Sequence, residues 1–475
     1  MGLENLGGLI LEKVLSKLEP RDIALLACVS SRLRAAASHD HIWREVCFSY
    51  FDLSLPEDPQ GNPCPSFKVT YETWMRSFSM YPLHIVKRVK QCWSAIRNWL
   101  TINFPEASGT LRRGATEAEI KQAEEKLGVK FPILTMLFYR FCDGQDTVTN
   151  DASQQSRLDP LGIIGGYEFY DHLVNVHLLS LSQIVKQSKE FEEITDSESK
   201  HIVVAMSMYL DKWFFLNCDD GQLYVGTKNL FRIGEMIPCV PFALVKPGTD
   251  AVNSLPQGAL VLWLEEHCRR LYNGMIRTRL IRESRLICLY PDEVLQPPMI
   301  QDSGAQSLHS ESPPICSVAV TNGVQVRASV VFVPELSFEK RLYFYSYSIC
   351  MSLHPEGCMS NGLYYSSCQL SLRHWNIKSK DNVVADVTAG GVIGLYPHLT
   401  PDSREFVYES CTSVPEVPGV VAGSFTFVPG SLIVQKGQLF EVEVAPFILE
   451  VPGVHLLIVL PTLKQHVQGH DIGIY

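Results

Sequence analysis

Several signatures are missing from this chain. No Cys-x-x-Cys pair occurs among its fourteen cysteines, and the closest trio, Cys350, Cys358 and Cys368, lacks metal-ligand spacing. That usage reads as buried free thiols in a reducing compartment, which excludes a disulfide or zinc framework. No Asn-x-Ser/Thr acceptor is present, and Met1 is not followed by a charged and then an apolar segment, so no secretory leader is expected. The longest apolar runs, such as Val454 to Leu460, fall short of the roughly 20 residues that cross a bilayer. Positive charge is scarce: 41 Lys and Arg stand against 51 Asp and Glu, a net charge of -10. A general nucleic-acid binder would be basic. These absences point to a cytoplasmic and/or nuclear protein with neither a membrane nor a nucleic acid as partner. There is also no P-loop, no His-Glu-x-x-His, no Gly-x-Ser-x-Gly and no EF-hand loop.

What is present divides into segments. A chain of 475 residues is too long for one core and predicts roughly three domains. Residues 1 to about 55 read as short helices. Leu11, Val14, Leu15 and Leu18 recur at helical spacing, and Glu19-Pro20 ends that helix because the residue before proline is pushed out of the α region. Ile23 to Val29 predicts a second helix, Ser30 or Ser31 caps a third through Leu33, and Ile42, Trp43, Val46, Cys47 and Tyr50 form a further apolar stripe. After a proline-bearing connection, residues 66 to 104 look helical, with Trp74, Trp93 and Trp99.

A second segment starts near 110. Thr116 to Glu119 predicts a capping box, with Ile120, Ala123 and Leu127 on the buried face and Gly128 as the helix stop. Pro132 suits the first turn of the next helix, and Asp143-Gly144 ends it. Ile202 to Met206, Trp213 to Asn217 and Leu223 to Val225 read as strands, with Asp219-Asp220-Gly221 as a hairpin turn. Leu260 to Tyr272 returns to helix, giving α+β order. Residues 291 to 314, rich in Pro, Ser, Gln and acid, form a linker. The last segment alternates with period two at Val324 to Phe332, Tyr343 to Ile349 and Phe440 to Val444. It predicts a β-sandwich or barrel.

Few residues offer chemistry. Ala389-Gly390-Gly391-Val392-Ile393-Gly394 approximates a glycine fingerprint, but its all-β surroundings favour a turn or close backbone packing over an anion site made of backbone N–H groups. Arg269, Arg270, Arg277, Arg279, Arg282 and Arg285 form a basic stretch, read as a solvated helix face running into an edge strand rather than a phosphate surface. His39 and His41 stand two apart in a turn. Ligation would require more ligands than that segment supplies, so no metal is expected. His374, beside Trp375 on a predicted strand, would need a nucleophile and an orienting acid to act as a base.

The opening segment resembles an F-box, through Leu6-Gly7, Leu9 to Leu18, Leu25 to Arg34 with Val29 and Ser30, and Ile42-Trp43. Gly7 stands where that family usually has proline. The resemblance implies docking to a Skp-type adaptor and, through it, to a cullin. It assigns that contact to Leu6, Leu9, Ile10, Leu11, Val14, Leu18, Pro20, Leu25, Val29, Leu33, Ile42 and Trp43. The bland alternative is that the same leucines only fill a helical core. The middle segment resembles the SUKH superfamily, through Thr116 to Leu127, Phe131-Pro132, Gly165 to Tyr170 and Trp213 to Leu216. The last resembles ApaG domains, which are fibronectin-like sandwiches, through Tyr345 to Ile349, Leu372 to Trp375, Gly391 to Gly394 and Phe406 to Tyr408 followed by Gly423 to Phe425. Ala389 holds the first glycine position of that loop.

The expected architecture is therefore multidomain: a small all-α F-box at 1–55, a helical connection at 56–104, an α+β SUKH-like domain at 105–290, a linker at 291–314, an all-β ApaG-like sandwich at 315–455 and a tail at 456–475. The expected function is the substrate-recognition subunit of a ubiquitin ligase, with no cofactor, no catalytic residue and an unnamed protein target. The alternative is an adaptor-independent scaffold or a small-molecule sensor, with Gly390, Gly391, Gly394 and His374 as its possible ligand loop.

Overall fold

The computed structural model describes residues 7–146, 161–170, 172–195, 200–207, 212–233, 236–245, 258–281, 284–292, 316–338 and 341–453. Leu6, Arg282, the expected linker from residue 293 onward and the expected tail at 456–475 lie outside the described residues. The chain forms two compact units, one of residues 1–146 with 179–200, the other of 147–178 with 201–475. The division falls inside the middle segment. Its early helices belong to the first unit and its strands to the second.

The first unit is helical. It comprises α1 (Gly8–Leu15), α2 (Pro20–Leu26), α3 (Ser31–Ala37), α4 (Asp40–Phe51), α5 (Phe67–Phe78), α6 (Leu83–Asn103), α7 (Pro105–Ser108), α8 (Glu117–Leu127), α9 (Ile133–Phe141) and α10 (Leu181–Thr195). Local chemistry places several of these ends. Pro20 opens α2 rather than only closing α1, since its fixed φ and missing N–H suit a first helical position. Helix α1 stops earlier than its apolar spacing predicts, at Leu15. Ser30 accepts a hydrogen bond from the Leu33 N–H at 3.3 Å, and Ser66 does the same for Val69. The capping box on α8 forms: Thr116 Oγ1 accepts from the Glu119 N–H at 3.2 Å, and Glu119 Oε2 accepts from the Thr116 N–H at 2.7 Å. Gly128 ends the helix in the left-handed region at φ +66°.

An aromatic seam runs through this unit. Phe51, Trp74, Phe78 and Phe141 pack ring against ring with centroids 5.1 to 6.0 Å apart, Phe78 and Phe141 stacked and the other pairs tilted. Asp143 then anchors α10: its Oδ1 accepts from the Leu181 N–H at 2.7 Å, and its Oδ2 pairs with Arg112 at 3.1 Å.

The second unit is built of strands. The first eight are β1 (Gly165–Phe169), β2 (His172–Leu178), β3 (His201–Ser207), β4 (Trp213–Asn217), β5 (Leu223–Gly226), β6 (Ile237–Pro238), β7 (Arg277–Ile281) and β8 (Ser284–Cys288), with helices α11 (Lys228–Ile233), α12 (Phe242–Val245) and α13 (Ala259–Tyr272). They make one sheet in the order β6-β5-β4-β3-β2-β1-β8-β7. All neighbours are antiparallel except β1 with β8. Gly166 is needed there, because a Cβ would stand 1.6 Å from the Val174 carbonyl oxygen across the ladder.

The remaining strands are β9 (Cys316–Thr321), β10 (Val324–Phe332), β11 (Tyr343–Leu353), β12 (Cys358–Ser360), β13 (Leu363–Tyr365), β14 (Cys368–Ser379), β15 (Asn382–Gly390), β16 (His398–Leu399), β17 (Phe406–Val414), β18 (Gly419–Pro429) and β19 (Phe440–Leu449). Two larger sheets result, β17-β11-β10-β9 and β15-β14-β18-β19. They share one core, in which Trp375 of β14 meets Tyr347 of β11 at 6.0 Å and Phe425 of β18 at 5.5 Å. The period-two pattern holds: Phe440, Val442 and Val444 are buried while Glu441 and Glu443 face solvent. Among the described residues no helix is long and apolar enough to cross a membrane.

Candidate functional site

Burial divides the twelve residues assigned to adaptor contact. Leu11, Leu33, Ile42 and Trp43 are at most 4% exposed, and Pro20 is buried as well. They form the core of the first four helices with Leu15, Ile23 and Val46. Trp43 also donates its indole N–H to the Ala37 carbonyl at 2.7 Å, which ties α4 to the end of α3. This corrects the sequence assignment for these five residues: side chains enclosed this fully can support a docking surface but cannot touch a partner. Val14 and Leu18 are half-buried, and Leu6 lies outside the described residues.

The other four point outward. Leu9 is 85% exposed and Val29 67%, with Ile10 and Leu25 both at 58%. They sit on α1, on α2 and in the turn before α3, and both α1 and α2 pack on α3. A module this small holds exposed aliphatic side chains at a solvation cost, and such side chains mark interaction surfaces when they gather on one module. Phe48, 60% exposed on α4, was not singled out from the sequence. It falls outside the apolar stripe of Ile42, Trp43, Val46, Cys47 and Tyr50, and that offset was the available sign that it faces away from the core.

The second unit holds a cleft of about 1090 Å³. One wall is β7, the edge strand of the eight-stranded sheet, and the other is β17, the edge strand of a sandwich sheet. Glu168 and Tyr170, at the end of β1, close one side. Charged groups line it: Arg279 is only 14% exposed, donates to Ser348 Oγ at 2.9 Å, is hydrogen-bonded to Asp292 and lies 4.0 Å from Glu409. Arg327 holds Glu405 at 2.8 Å. Arg277 and Arg279, read from sequence as a solvated edge, are thus both paired with the buried Asp292. Burial pushes the Glu409 carboxyl up to about 7 against the opposing pull of Arg279. Its Oε2 is buried without a hydrogen-bond partner.

A second buried charge cluster joins the two sheet systems of this unit. Lys212 donates to the Tyr167 hydroxyl at 2.5 Å and pairs with Glu335 at 3.2 Å, while Tyr167 lies 2.9 Å from the same carboxylate. Lys212 and Glu335 are 1% and 4% exposed. Burial lowers the Lys212 pKa, with Glu335 opposing. Sequence reasoning missed this cluster, because its members lie 45 and 168 positions from Tyr167 and none sits in a motif.

The glycine run is a hairpin turn. Val392 and Leu395 exchange both backbone hydrogen bonds, at 2.9 and 2.7 Å, and the Gly391 N–H donates to Ser371 at 2.9 Å. Ile393 and Gly394 take the left-handed region at φ +44° and +77°. A Cβ at Gly391 would meet the Leu395 carbonyl at 2.4 Å. The backbone N–H groups at 391, 392 and 395 are spent within the chain, so of the expected ligand loop of Gly390, Gly391 and Gly394 the Gly391 N–H is already committed. His374 hydrogen-bonds Asp386 at 2.7 Å on the exposed sheet face, and lowers the pKa of that carboxylate. Among the described residues no hydrogen bond joins its ring to a hydroxyl or thiol.

Comparison with known proteins places the chain among named relatives. An F-box-like profile matches residues 10–49, and the ApaG domain profile matches residues 335–429. The F-box protein SKIP16 of Arabidopsis thaliana is 46% identical over 459 residues, which cover 95% of this chain and 99% of that protein. F-box only protein 3 of Homo sapiens is 24% identical over 443 residues, covering 92% of this chain and 81% of the human protein. Protein ApaG of Rhodopseudomonas palustris is 31% identical over 135 residues, which are 28% of this chain and 92% of the bacterial one.

Proposed function

The chain belongs to the F-box proteins that carry a C-terminal ApaG domain, and on that footing we propose that it is a substrate-recognition subunit of a Skp–cullin–F-box ubiquitin ligase. The observation that carries the adaptor contact is the exposure of Leu9 and Ile10 on α1, Leu25 on α2 and Val29 in the turn before α3. Aliphatic side chains held on rigid helices match helix-in-groove docking, where apolar faces give affinity. The Skp-type adaptor then links the chain to a cullin. Residues 1–55 are the F-box and 56–104 a helical connection. Residues 105–290 are a SUKH-like α+β domain, 291–314 a linker and 315–455 a fibronectin-like ApaG sandwich. The subunit makes no covalent bond. It raises the effective concentration of a bound target near the charged ubiquitin carrier, in the cytoplasm and/or nucleus.

The cleft between β7 and β17 is the target-binding site best supported by geometry, since two edge strands wall it and Arg279, Glu405 and Glu409 line it. The same cleft supports a second reading, a binding protein that works without the adaptor. Co-purification of the full chain with a Skp-type adaptor distinguishes them. The ligase reading expects wild-type protein to retain the adaptor, and Leu9→Asp with Val29→Asp to lose it while keeping the wild-type melting temperature. Equal retention by the double variant sinks the assigned docking surface, and no retention by wild type favours the adaptor-independent reading.

A further inference from the structure

A second kind of site forms on the first unit, from residues distant in sequence. His39 is the residue before α4, His41 is the second residue of that helix, and Glu12 lies on α1. His39 Nδ1 is 2.6 Å from Glu12 Oε1, and His41 Nε2 is 3.7 Å from Glu12 Oε2. The three donor atoms all lie within 4.8 Å of one another. The two histidines by themselves are too few to hold an ion, and the fold supplies the missing carboxylate.

We propose that Glu12, His39 and His41 form a binding site for a divalent transition metal ion, with Zn²⁺ as its best fit. Two imidazoles and one carboxylate are a borderline-soft nitrogen and oxygen set that suits zinc and its first-row neighbours, and disfavours the all-oxygen ions calcium and magnesium. Zinc bonds to such donors are about 2.0–2.2 Å long, so tetrahedral donors stand about 3.4 Å apart. The observed separations of 2.6 and 3.7 Å bracket that figure, and with all three donors within 4.8 Å of one another small shifts bring them to bonding distance of one ion. The two rings meet edge to face, with centroids 6.2 Å apart, which leaves both free to turn a nitrogen toward the shared carboxylate. Both imidazoles are half-exposed, with side chains 51% and 52% accessible. The fourth position is therefore open to water, as in sites with three protein ligands. A bound ion clips α1 to the first turn of α4, two helices with α2 and α3 between them in the chain. None of the three ligands belongs to the aliphatic docking set, so the site stands independently of the ligase reading.

The test uses the full-length chain, stripped with chelator and titrated with ZnCl₂ by calorimetry, beside Glu12→Gln, His39→Ala and His41→Ala. Wild type is expected to bind one equivalent more than each variant, or to bind that equivalent at least tenfold more tightly. In parallel, histidine modification by diethylpyrocarbonate is read residue by residue with and without Zn²⁺. Protection of His39 and His41 by at least fivefold is expected, with the exposed His84 unchanged. Because footprinting is done on wild type, it decides the matter even where a variant fails to fold. Identical modification of His39 and His41 with and without Zn²⁺ overturns the proposal, as does an isotherm shared by wild type and folded variants.

Discussion

The F-box helices and the strand unit use the same kinds of residue in opposite ways. In the first four helices the exposed groups of interest are aliphatic, Leu9, Ile10, Leu25 and Val29, and the tryptophan is hidden. The strand unit also exposes apolar residues, Leu280 and Ile433 among them, but what sets it apart is charge taken out of water: Lys212, Glu335, Asp292, Arg279 and Glu409. A small helical module cannot enclose every apolar side chain it carries, and the surplus becomes a contact surface. Two stacked sheet systems have room to enclose charge, but each buried charge then needs a partner. The first module thus shows aliphatic groups to solvent, and the strand unit holds paired charges inside.

Five single substitutions break or sharpen that contrast. Trp43→Ala is expected to cost about 3–5 kcal/mol, since it empties a core position and strands the Ala37 carbonyl. Thermal melts of the full chain should show an early transition, and adaptor binding should fail with it. Leu11→Asp is expected to act in the same way. Neither variant separates docking from folding, which the exposed residues do.

Glu335→Gln should cost roughly 3 kcal/mol, because it leaves the Lys212 ammonium buried with a weaker partner. Replacing both, with Lys212→Met and Glu335→Leu, should recover most of that stability in urea unfolding. A double variant no more stable than the single one would show that the pair does more than neutralise itself.

Glu409→Gln tests the cleft through pH. The carboxyl is raised from 4.5 to about 7, so the native state holds its proton more tightly than the unfolded chain. Its contribution to stability is therefore full below pH 4.5 and is lost as pH rises to 7. The loss amounts to about 3 kcal/mol at most. Urea midpoints of the variant should match wild type in acid and exceed it above neutrality. His177 and His267, both lowered to about 4 by burial, give the opposite slope, with stability lost as pH falls from 6.5 through 4. They do so in both proteins, and the comparison at each pH cancels them. A constant offset at all pH values would mean that Glu409 titrates normally.

The smallest effect is expected from Gly7→Pro. Gly7 already has φ -61° and ψ 148°, the conformation a proline imposes, and among the described residues its N–H donates to nothing. Restricting the unfolded chain there should stabilise the protein by roughly 0.4–1 kcal/mol, with adaptor affinity unchanged or higher. A loss of stability would mean that the entry to α1 needs the freedom of glycine.

Much of the fold was legible because it rests on local rules. The capping box at Thr116 and Glu119, the Ser30 cap, the turn at Asp219 to Gly221 and the alternation from Phe440 to Val444 each involve neighbours within a few residues. The residues proposed for docking were legible only as a set. Helical spacing marks Leu9, Ile10 and Leu11 as apolar alike, and whether each faces inward depends on where α3 and α4 lie. The cleft was not legible at all, since Arg279 looks like any edge-strand arginine until Asp292 and Glu409 are brought against it.

Periodicity, caps and turn residues, all interactions of short range, determined by themselves which segments are helix or strand and in what order. The tertiary structure decided which of those side chains are core and which are surface, and which charges share a cavity. It also set Glu12 beside His39 and His41. Those outcomes depend on contacts between positions far apart in the chain, and no local pattern encodes their distance.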